Sequence, residues 1–335
     1  MPTREQEYFP ALREPRIYQR TATEFVRQRL ARGESPALFA IPGTGKSQII
    51  LDAVSSLASE RYPKPFRTVI LAPFASICVW LDEIEICTTM PAVSAVSGSR
   101  TARNAQILDF CLSRKTSFLL LNYEMCRTHR DIILKVLAKH TDLLVADESR
   151  RLAHRSKLAR GARQFGMHVP LRIIASASPT TKTLADLFGQ FLFLDRGATF
   201  GTSFLAFRAE HFFANSFGFG WFPRKGSVRR TAKACSYRTA VIKDSDVVLP
   251  KISTIRVRLP LTPAQSRALT SLKKDFDLQP DVDSSTSPIY STMWAAAAYT
   301  KTRQVLSGIV KIGDKCKVLP CLKYDWIRTF MSDDL

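Results

Sequence analysis

The segment Ala40-Ile-Pro-Gly43-Thr-Gly45-Lys46-Ser47 contains residue types that bind phosphate. It follows an apolar run and precedes a segment with helical periodicity. In such a loop the glycines let backbone N–H groups point at phosphate oxygens, the lysine reaches the β- and γ-phosphates, and the hydroxyl binds magnesium. A glycine-rich turn that binds nothing would leave the lysine and the serine unexplained. The predicted phosphate-binding residues are Pro42, Gly43, Thr44, Gly45, Lys46 and Ser47.

A second group of candidate residues ends the apolar run at 142–147. Asp147 and Glu148 stand there, about 100 residues after the glycine-rich segment. A carboxylate at a strand end can hold magnesium together with Ser47, and a neighbouring glutamate can orient or deprotonate the attacking water. An isolated Asp-Glu pair is more often a solvated strand end, but the preceding phosphate loop favours catalysis. We therefore predict catalytic roles for Lys46, Asp147 and Glu148, with Ser47 and Asp147 as metal ligands.

The elements that must position these residues alternate in type along the first 200 positions. Near-continuous apolar runs, separated by amphipathic segments, are typical of strands buried on both faces of a parallel sheet. The sequence therefore predicts an α/β fold with a mainly parallel sheet between helices, and ligands at the carboxyl ends of the strands. The predicted strands are 37–41, 68–73, 117–122, 142–147 and 171–177.

The sequence changes character after about residue 200. Aromatic, glycine and arginine residues follow without a strand-helix period, and then a strand is predicted at 251–262 and helices at 263–277 and 291–309. The predicted division is a lobe with the phosphate-binding segment at 1–200, a basic aromatic-rich insertion at 201–250 and a strand with a helical connector at 251–335.

Composition excludes several classes of protein. The 335 residues are 45% hydrophobic, so intrinsic disorder is not expected, and no run approaches the roughly 20 apolar residues of a membrane span. The first residues lack a signal peptide, and the seven cysteines include no C-x-x-C pair. We expect a cytoplasmic protein without a membrane partner. The net charge of +20 predicts a polyanionic partner, most simply nucleic acid.

Two basic clusters account for part of this charge. They lie between 150 and 163 and between 224 and 243, and neither contains an acidic residue. Either one alone is better explained as a solvated face, but beside a nucleotide site we favour salt-sensitive contact with phosphates. The aromatic residues Phe217, Phe219, Trp221 and Phe222 are expected to pack rather than to stack on bases. The predicted contacts include Arg151, Arg155, Lys157, Arg224, Lys225, Arg229 and Arg230.

Taken in order, the motifs resemble those of superfamily-two helicases and translocases. The resemblance is strongest to the Swi/Snf-type ATPases with their DEAD/DEAH-box-like acidic motif, especially the compact forms carried by bacteriophages. It also covers an insertion near 200–223 and a connector helix at 295–308. The segments that carry it are Arg16-Ile17-Tyr18-Gln19, Leu71-Ala72-Pro73 with Trp80 and Glu83, Asn122-Tyr123-Glu124, Asp147-Glu148-Ser149 and Ser176-Ala177-Ser178-Pro179.

The resemblance implies a RecA-like lobe that binds ATP and Mg²⁺ and acts as a helicase or translocase on double-stranded DNA. In that family Gln19 would contact adenine, Pro73 and the following helix with Trp80 would touch the nucleic-acid backbone, and Ser176 and Ser178 would couple hydrolysis to movement. If the gene is phage-encoded, the expected location is the host cytoplasm.

Departures from the family pattern add one further expectation. Ala177, Ser178 and Arg150 replace the usual glycine, threonine and histidine, and the sequence stops at Leu335 where a second RecA-like lobe would begin. That lobe supplies arginine fingers, which are worth about 10³ to 10⁵ in rate. We expect it to come from another chain or to have been lost by truncation, and the isolated chain to hydrolyse ATP weakly.

Two alternatives remain open at the level of sequence. The ATPase of a phage packaging terminase also has a phosphate loop, an acidic strand end and a coupling motif, although the Asp-Glu-Ser and Ser-Pro pattern argues against it. A non-catalytic, ATP-gated DNA-binding or assembly subunit is the other. Replacing Lys46 by alanine separates an enzyme from a scaffold, because a scaffold would keep its function.

Overall fold

The structure, a computed structural model, describes residues 12–61, 63–153, 156–180, 183–214, 220–247, 254–274, 277–278, 290–291, 295–312 and 315–333. The chain forms two compact units, Met1–Leu249 and Pro250–Leu335. Each is treated by itself below. None of the helices formed by the described residues is long and apolar enough to cross a bilayer.

A seven-stranded sheet forms the centre of the first unit. Its strand order is β3-β4-β2-β5-β6-β1-β9, and every neighbouring pair is parallel. β7 and β8 pair separately as an antiparallel hairpin. In chain order the strands are β1 Ala37–Ala40, β2 Arg67–Ala72, β3 Ala92–Ser94, β4 Ser117–Asn122, β5 Leu143–Ala146, β6 Leu171–Ser176, β7 Phe212–Ala214, β8 Trp221–Pro223 and β9 Thr239–Ile242.

Helices cover both faces of this sheet. One apolar core packs α1, α2 and α3 on one face, and a second packs α4, α6, α7 and α8 on the other. The central strands are buried on both sides, which explains their uninterrupted apolar sequences. The helices are α1 Ile17–Ala31, α2 Lys46–Arg61, α3 Ile77–Cys87, α4 Arg100–Leu112, α5 Met125–Thr128, α6 Arg130–Lys135, α7 Lys157–His168, α8 Asp186–Asp195, α9 Phe204–His211 and α10 Ser227–Ser236.

The predicted α/β fold class is confirmed, and each of the five predicted strands lies in the sheet. The sequence did not predict β3 or β9. β9 belongs to the segment 201–250 that lacks a strand-helix period, yet it pairs with β1 from Ala37 opposite Thr239 to Ala40 opposite Ile242. This segment therefore contributes an edge strand to the sheet. The division at 200 and 250 stays a prediction.

The second unit is smaller and has its own core of Ala268, Leu272, Val305, Val310 and Leu319. The two predicted helices are present. The predicted strand at 251–262 is wrong for 254–262, which form no regular structure: most of these side chains are exposed, and Pro260 lacks a backbone donor. Residues 251–253 lie outside the described part. The elements are α11 Pro263–Lys274, β10 Asp277–Leu278, β11 Tyr290–Ser291, α12 Ala295–Leu306, β12 Ile309–Ile312, β13 Lys315–Val318 and α13 Leu322–Asp333.

Candidate nucleotide-binding site

The phosphate loop, residues 41–45, connects the end of β1 to the start of α2. Gly43 and Gly45 have φ angles of 79° and 75°, in the left-handed region that favours glycine. The Thr44 hydroxyl donates to the carbonyl of Ile41 at 2.7 Å, which closes the loop on itself. The ammonium of Lys46 donates to the carbonyl of Ala40 at 3.0 Å. The loop thus has the curled backbone and the lysine that phosphate binding requires.

Gln19 packs against this loop from α1. It is buried; its Oε1 accepts from the backbone N–H of Arg16 at 2.7 Å, and its Nε2 donates to the carbonyl of Thr44 at 3.0 Å. Nε2 also lies 3.4 Å from Oε1 of Gln48. A Cβ at Gly45 would lie 2.2 Å from Gln19 Nε2, so the glycine is required for this close approach. Gln19 therefore holds the loop, and its contact with adenine stays a prediction.

Asp147 is fixed at its backbone and at both carboxylate oxygens. Trp80 Nε1 donates to Oδ2 at 2.9 Å, the N–H of Glu148 donates to Oδ1 at 2.9 Å, and the Tyr123 hydroxyl donates to the Asp147 carbonyl at 2.6 Å. Glu148 itself has a φ of 48°, an unusual value for a residue other than glycine. Trp80 itself is 2% exposed and turned toward Asp147, so the contact with nucleic acid expected of Pro73 and the following helix stays a prediction for its exposed residues.

Strand order brings the candidate residues to one edge of the sheet. β6 lies between β5 and β1, and Phe39 of β1 is opposite Ser176 at the end of β6. The phosphate loop, Ser176 and Asp147 therefore follow three neighbouring parallel strands at their carboxyl ends. Pro73 follows β2, the next strand beyond β5. This edge is the location at which open α/β sheets bind ligands.

Charges and oxygen ligands at this edge suit a magnesium nucleotide. Burial lowers the pKa of Lys46, while the carboxylates of Asp147 and Glu148 oppose this shift, which indicates that the three charges interact. The hydroxyl of Ser47 has no hydrogen-bond partner among the described residues. A hydroxyl and a carboxylate are the hard oxygen donors that Mg²⁺ prefers. Ser47 and Asp147 thus fit the metal, and the glycines with Lys46 fit its phosphates.

Comparison with models of protein families shows to which family this chain belongs. The model of the SNF2-related domain matches residues 18–274, which include all of the edge described above. The chain belongs to the SNF2-related family. It is related to the Swi/Snf-type superfamily-two ATPases, and this relationship favours that interpretation over a packaging terminase.

Solved structures of Swi/Snf ATPase cores share the fold of this SNF2-related chain. The Sulfolobus solfataricus SWI2/SNF2 ATPase core in complex with double-stranded DNA has a TM-score of 0.57 and 18% identity over 89% of this chain. The SWI2/SNF2 ATPase core domain of the same organism has a TM-score of 0.52 and 17% sequence identity over 92% of this chain. The alignments cover 59% and 60% of those structures, so the chain spans about three fifths of their length. No sequence among curated proteins matches it significantly.

A buried side chain links the acidic motif of this SNF2-related domain to its coupling motif. The Ser149 hydroxyl donates to Gln190 Oε1 at 2.7 Å, and Gln190 Nε2 donates to the carbonyls of Pro179 at 2.7 Å and Asp186 at 2.9 Å. Ser149 and Gln190 are fully buried. We call Ser149, Gln190 and Pro179 the polar bridge. The sequence analysis missed Gln190, although a single glutamine within the apolar run of α8 is a signal that could have identified it.

The two predicted coupling residues, Ser176 and Ser178, are close together. The backbone N–H of Ser178 donates to the hydroxyl of Ser176 at 3.2 Å, and Ser176 is fully buried at the end of β6. Because Pro179 directly follows Ser178, the polar bridge reaches the loop that contains both serines. Arg150, which replaces the family histidine, instead lies with its Nε 3.7 Å from a carboxylate oxygen of Glu148.

The predicted nucleic-acid contacts fall into separate places on the first unit. Arg151 is exposed with its guanidinium 5.9 Å from the centroid of the Tyr123 ring, and Lys157 is exposed at the first position of α7. Arg155 lies outside the described residues. The other predicted contacts are exposed and lie around the start of α10: Arg224, Lys225, Arg229 and Arg230.

The aromatic residues near α10 differ from expectation. Trp221 and Phe222 were expected to pack, but 39% and 51% of their surfaces are exposed. They lie on a hairpin of three residues per strand, which is too short to bury both of its faces. Phe217 and Phe219 lie outside the described residues.

Proposed function

We propose that this chain is the ATPase lobe of a DNA helicase or translocase of the Swi/Snf type. The observation that carries this proposal is the order of β1, β6 and β5, which supports a single site made of the phosphate loop, the coupling residues and Asp147-Glu148. A site of this composition supports phosphoryl transfer to water. The resemblance to compact phage enzymes remains an expectation about the source.

In the proposed mechanism the backbone of Gly43 and Gly45 and the ammonium of Lys46 bind the phosphates of ATP. Ser47 and Asp147 would hold magnesium, which neutralises charge on the phosphates when it is bound. Trp80 and the Glu148 N–H fix the orientation of the Asp147 carboxylate. The backbone of Glu148 is in the left-handed region, which fixes the direction in which its side chain leaves the chain. We propose that this side chain orients the attacking water.

Signal transfer to DNA would pass along the polar bridge. A change at Asp147-Glu148 is one covalent step from Ser149, and Gln190 joins Ser149 to the coupling loop through two hydrogen bonds. Ser176 and Ser178 are the residues that would respond at that loop. Gln190 is thus proposed as a positioning residue, because it is fully buried and its side chain bonds to Ser149, Pro179 and Asp186.

Double-stranded DNA is the proposed track. One structurally similar protein is a SWI2/SNF2 ATPase core in complex with double-stranded DNA. Pro73 and the exposed cations Arg151 and Lys157 would contact phosphates, which gives sequence-independent, salt-sensitive binding. Full turnover is proposed to need a second RecA-like lobe, so that the 335-residue chain alone binds Mg-ATP and hydrolyses it slowly.

Nucleotide binding to purified protein tests this proposal. A fluorescent ATP analogue is titrated with Mg²⁺ against the wild type, Lys46→Ala, Asp147→Asn and the control Lys64→Ala. Lys64 is exposed and precedes the amino end of β2, whereas the site follows the carboxyl ends of the strands. We expect micromolar-range binding that EDTA weakens, and a loss of about 100-fold or more for Lys46→Ala. The control should bind as the wild type does.

Steady-state ATPase measurements with and without duplex DNA complete the test. We expect slow hydrolysis that Glu148→Gln abolishes while Mg-ATP binding persists. A wild type that does not bind Mg-ATP, or a Lys46→Ala variant that binds it equally well, contradicts the proposed function. Rapid DNA-stimulated turnover by the chain alone contradicts the proposed need for a second lobe.

A further inference from the structure

The β7–β8 hairpin presents aromatic side chains to solvent. Phe213 of β7 lies opposite Phe222 of β8 with ring centroids 6.0 Å apart. Because side chains alternate along a strand, Trp221 lies on the other face of the ribbon, together with the buried Phe212. The exposed fractions of Phe213, Trp221 and Phe222 are 47%, 39% and 51%. Phe213 and Phe222 each leave about half of their surface exposed on so short a ribbon, so hairpin stability alone does not account for them.

The base of the hairpin is firmly attached to the rest of the first unit. Phe212 is 2% exposed and packs in a small core with Phe188 and Phe207. The Arg224 N–H donates to the carbonyl of His211 at 2.8 Å, and its Nε donates to the carbonyl of Phe212 at 2.9 Å. The exposed aromatic face is therefore held in place by a buried anchor.

The surroundings of this face are cationic. The Arg208 guanidinium lies 4.0 Å from the centroid of the Trp221 ring, and Arg229 and Arg230 are exposed on the first turn of α10. Residues 211–243 contain seven Lys or Arg and no Asp or Glu. An apolar protein surface or a lipid tail alone would not neutralise these charges. A polyanion that also offers flat apolar rings satisfies both features, and nucleic acid has this chemistry.

We propose that Phe213 and Phe222 stack on unpaired bases of DNA at a junction between duplex and single strand. Within an intact duplex both faces of each base are covered by neighbours, so aromatic side chains gain contact only where a base is unpaired or a step is opened. Arg229 and Arg230 bind the adjacent phosphates. This inference rests on DNA binding in the proposed function and adds a preferred DNA structure to it.

Salt dependence separates base stacking by the aromatic rings from phosphate binding by the arginines. Binding of fluorescein-labelled DNA, blunt or with a single-stranded tail, is measured by anisotropy over a range of salt concentrations and without nucleotide. Phe213→Ala/Phe222→Ala should bind tailed DNA about tenfold or more weakly, bind blunt DNA as the wild type does, and keep the salt slope. Arg229→Ala/Arg230→Ala should weaken both DNAs and reduce the slope by about 2.

Two further variants control for folding. Phe213→Tyr/Phe222→Tyr keeps the aromatic rings and should restore the preference for tailed DNA. Leu112→Ala removes an exposed apolar side chain from α4, remote in the sequence, and should change nothing. A 2-aminopurine placed at the junction should change fluorescence with the wild type and the tyrosine variant, and not with the alanine variant.

Three outcomes would overturn the inference. They are equal wild-type affinity for tailed and blunt DNA, wild-type behaviour of the alanine variant, and equal weakening of both DNAs by the alanine variant. Because these measurements use no nucleotide, they can be interpreted even if the chain fails to bind Mg-ATP. Conversely, a chain that binds Mg-ATP but no DNA contradicts this inference and leaves the nucleotide site intact.

Discussion

The nucleotide edge of the sheet and the region from β7 to α10 are built in different ways. At the nucleotide edge, buried side chains join positions far apart in sequence, such as Trp80 to Asp147 and Ser149 to Gln190. Around α10 the cations are exposed, and the contacts that hold the hairpin are mostly local. Chemistry on a phosphoryl group requires fixed geometry, whereas attraction to a charged polymer requires only charge at the surface.

The largest effect is expected from Gly45→Ala at the nucleotide edge. The added Cβ would meet Gln19 Nε2 and push that side chain away from the Thr44 carbonyl. Gly33→Ala is a matched control, because Gly33 has a similar φ of 76° but open space around it. We expect Gly45→Ala to lose about 100-fold in Mg-ATP affinity. Gly33→Ala should lose only about 1 kcal/mol of stability.

Titration calorimetry and urea unfolding of both glycine variants measure these effects. Equal loss of nucleotide affinity in the two variants would mean that the effect of Gly45→Ala is a general destabilisation and not a local displacement of Gln19, because Gly33 lies outside the phosphate loop. Such a result would also weaken the contrast between the nucleotide edge, where geometry is fixed, and the region from β7 to α10, where surface charge is enough.

A smaller loss is expected from Gln190→Leu in the polar bridge. Leucine leaves the Ser149 hydroxyl and the Pro179 carbonyl without their buried partner, at a cost of about 2–3 kcal/mol in unfolding free energy. It should also abolish any effect of ATP on DNA affinity while Mg-ATP affinity alone changes little. Urea unfolding and DNA titrations with and without ATP measure both quantities.

The control for Gln190→Leu is Gln164→Leu, since Gln164 accepts an exposed hydrogen bond from Arg130. It should change stability by less than about 0.5 kcal/mol. Retention of the ATP effect on DNA affinity by a folded Gln190→Leu protein would remove the polar bridge from the coupling path.

Asp52 on α2 gives a pH-dependent prediction. Both carboxylate oxygens are buried without a hydrogen-bond partner among the described residues, and burial raises its pKa from 3.8 to about 6. A raised acid pKa favours the fold at low pH, and this contribution is lost as the pH rises from about 4 through 6. We expect Asp52→Asn to gain about 1–2 kcal/mol over the wild type at pH 8, after allowance for solvent screening.

Urea unfolding at pH 4.5 and pH 8 tests the Asp52 prediction. The gain should fall to about a third of this value at pH 4.5, where the wild-type carboxyl is neutral in the folded protein but largely ionised in the unfolded chain. A gain of equal size at both pH values would assign the effect to packing and not to the charge.

The smallest effect is expected in the region from β7 to α10. Arg208→Gln removes the cation from the Trp221 ring at a cost of about 0.5–1 kcal/mol, and Arg208→Lys should retain part of it. Thermal unfolding gives the difference. A loss above about 2 kcal/mol would mean that this region is as tightly built as the nucleotide edge.

Much of the fold could be predicted because its signals are local. Each buried parallel strand is an apolar run, and the phosphate loop is a contiguous motif, so these positions required no knowledge of the tertiary structure. β9 has no such signal: of its four residues only Ile242 is buried, and its place beside β1 depends on pairing across about 200 positions.

The site was predictable to the same extent. Residue type and spacing alone identify the loop glycines, Lys46 and the Asp147-Glu148 pair. Trp80 and Gln190 cannot be identified in this way. Trp80 lies 67 positions from its partner Asp147, and Gln190 lies 41 positions from its partner Ser149. Which polar side chain meets which carboxylate is decided by strand order, and strand order is not visible in a single sequence.

The position of β9 also has a consequence for biosynthesis. β1 carries the phosphate loop, and its two neighbours in the sheet, β6 and β9, end at Ser176 and Ile242. A nascent chain presents β1 early but cannot pair both of its sides until residue 242 has left the ribosome. Translation at about 5–20 residues per second leaves this strand partly unpaired for roughly 10–40 seconds. During that interval the growing protein is most exposed to misassembly and to capture by chaperones.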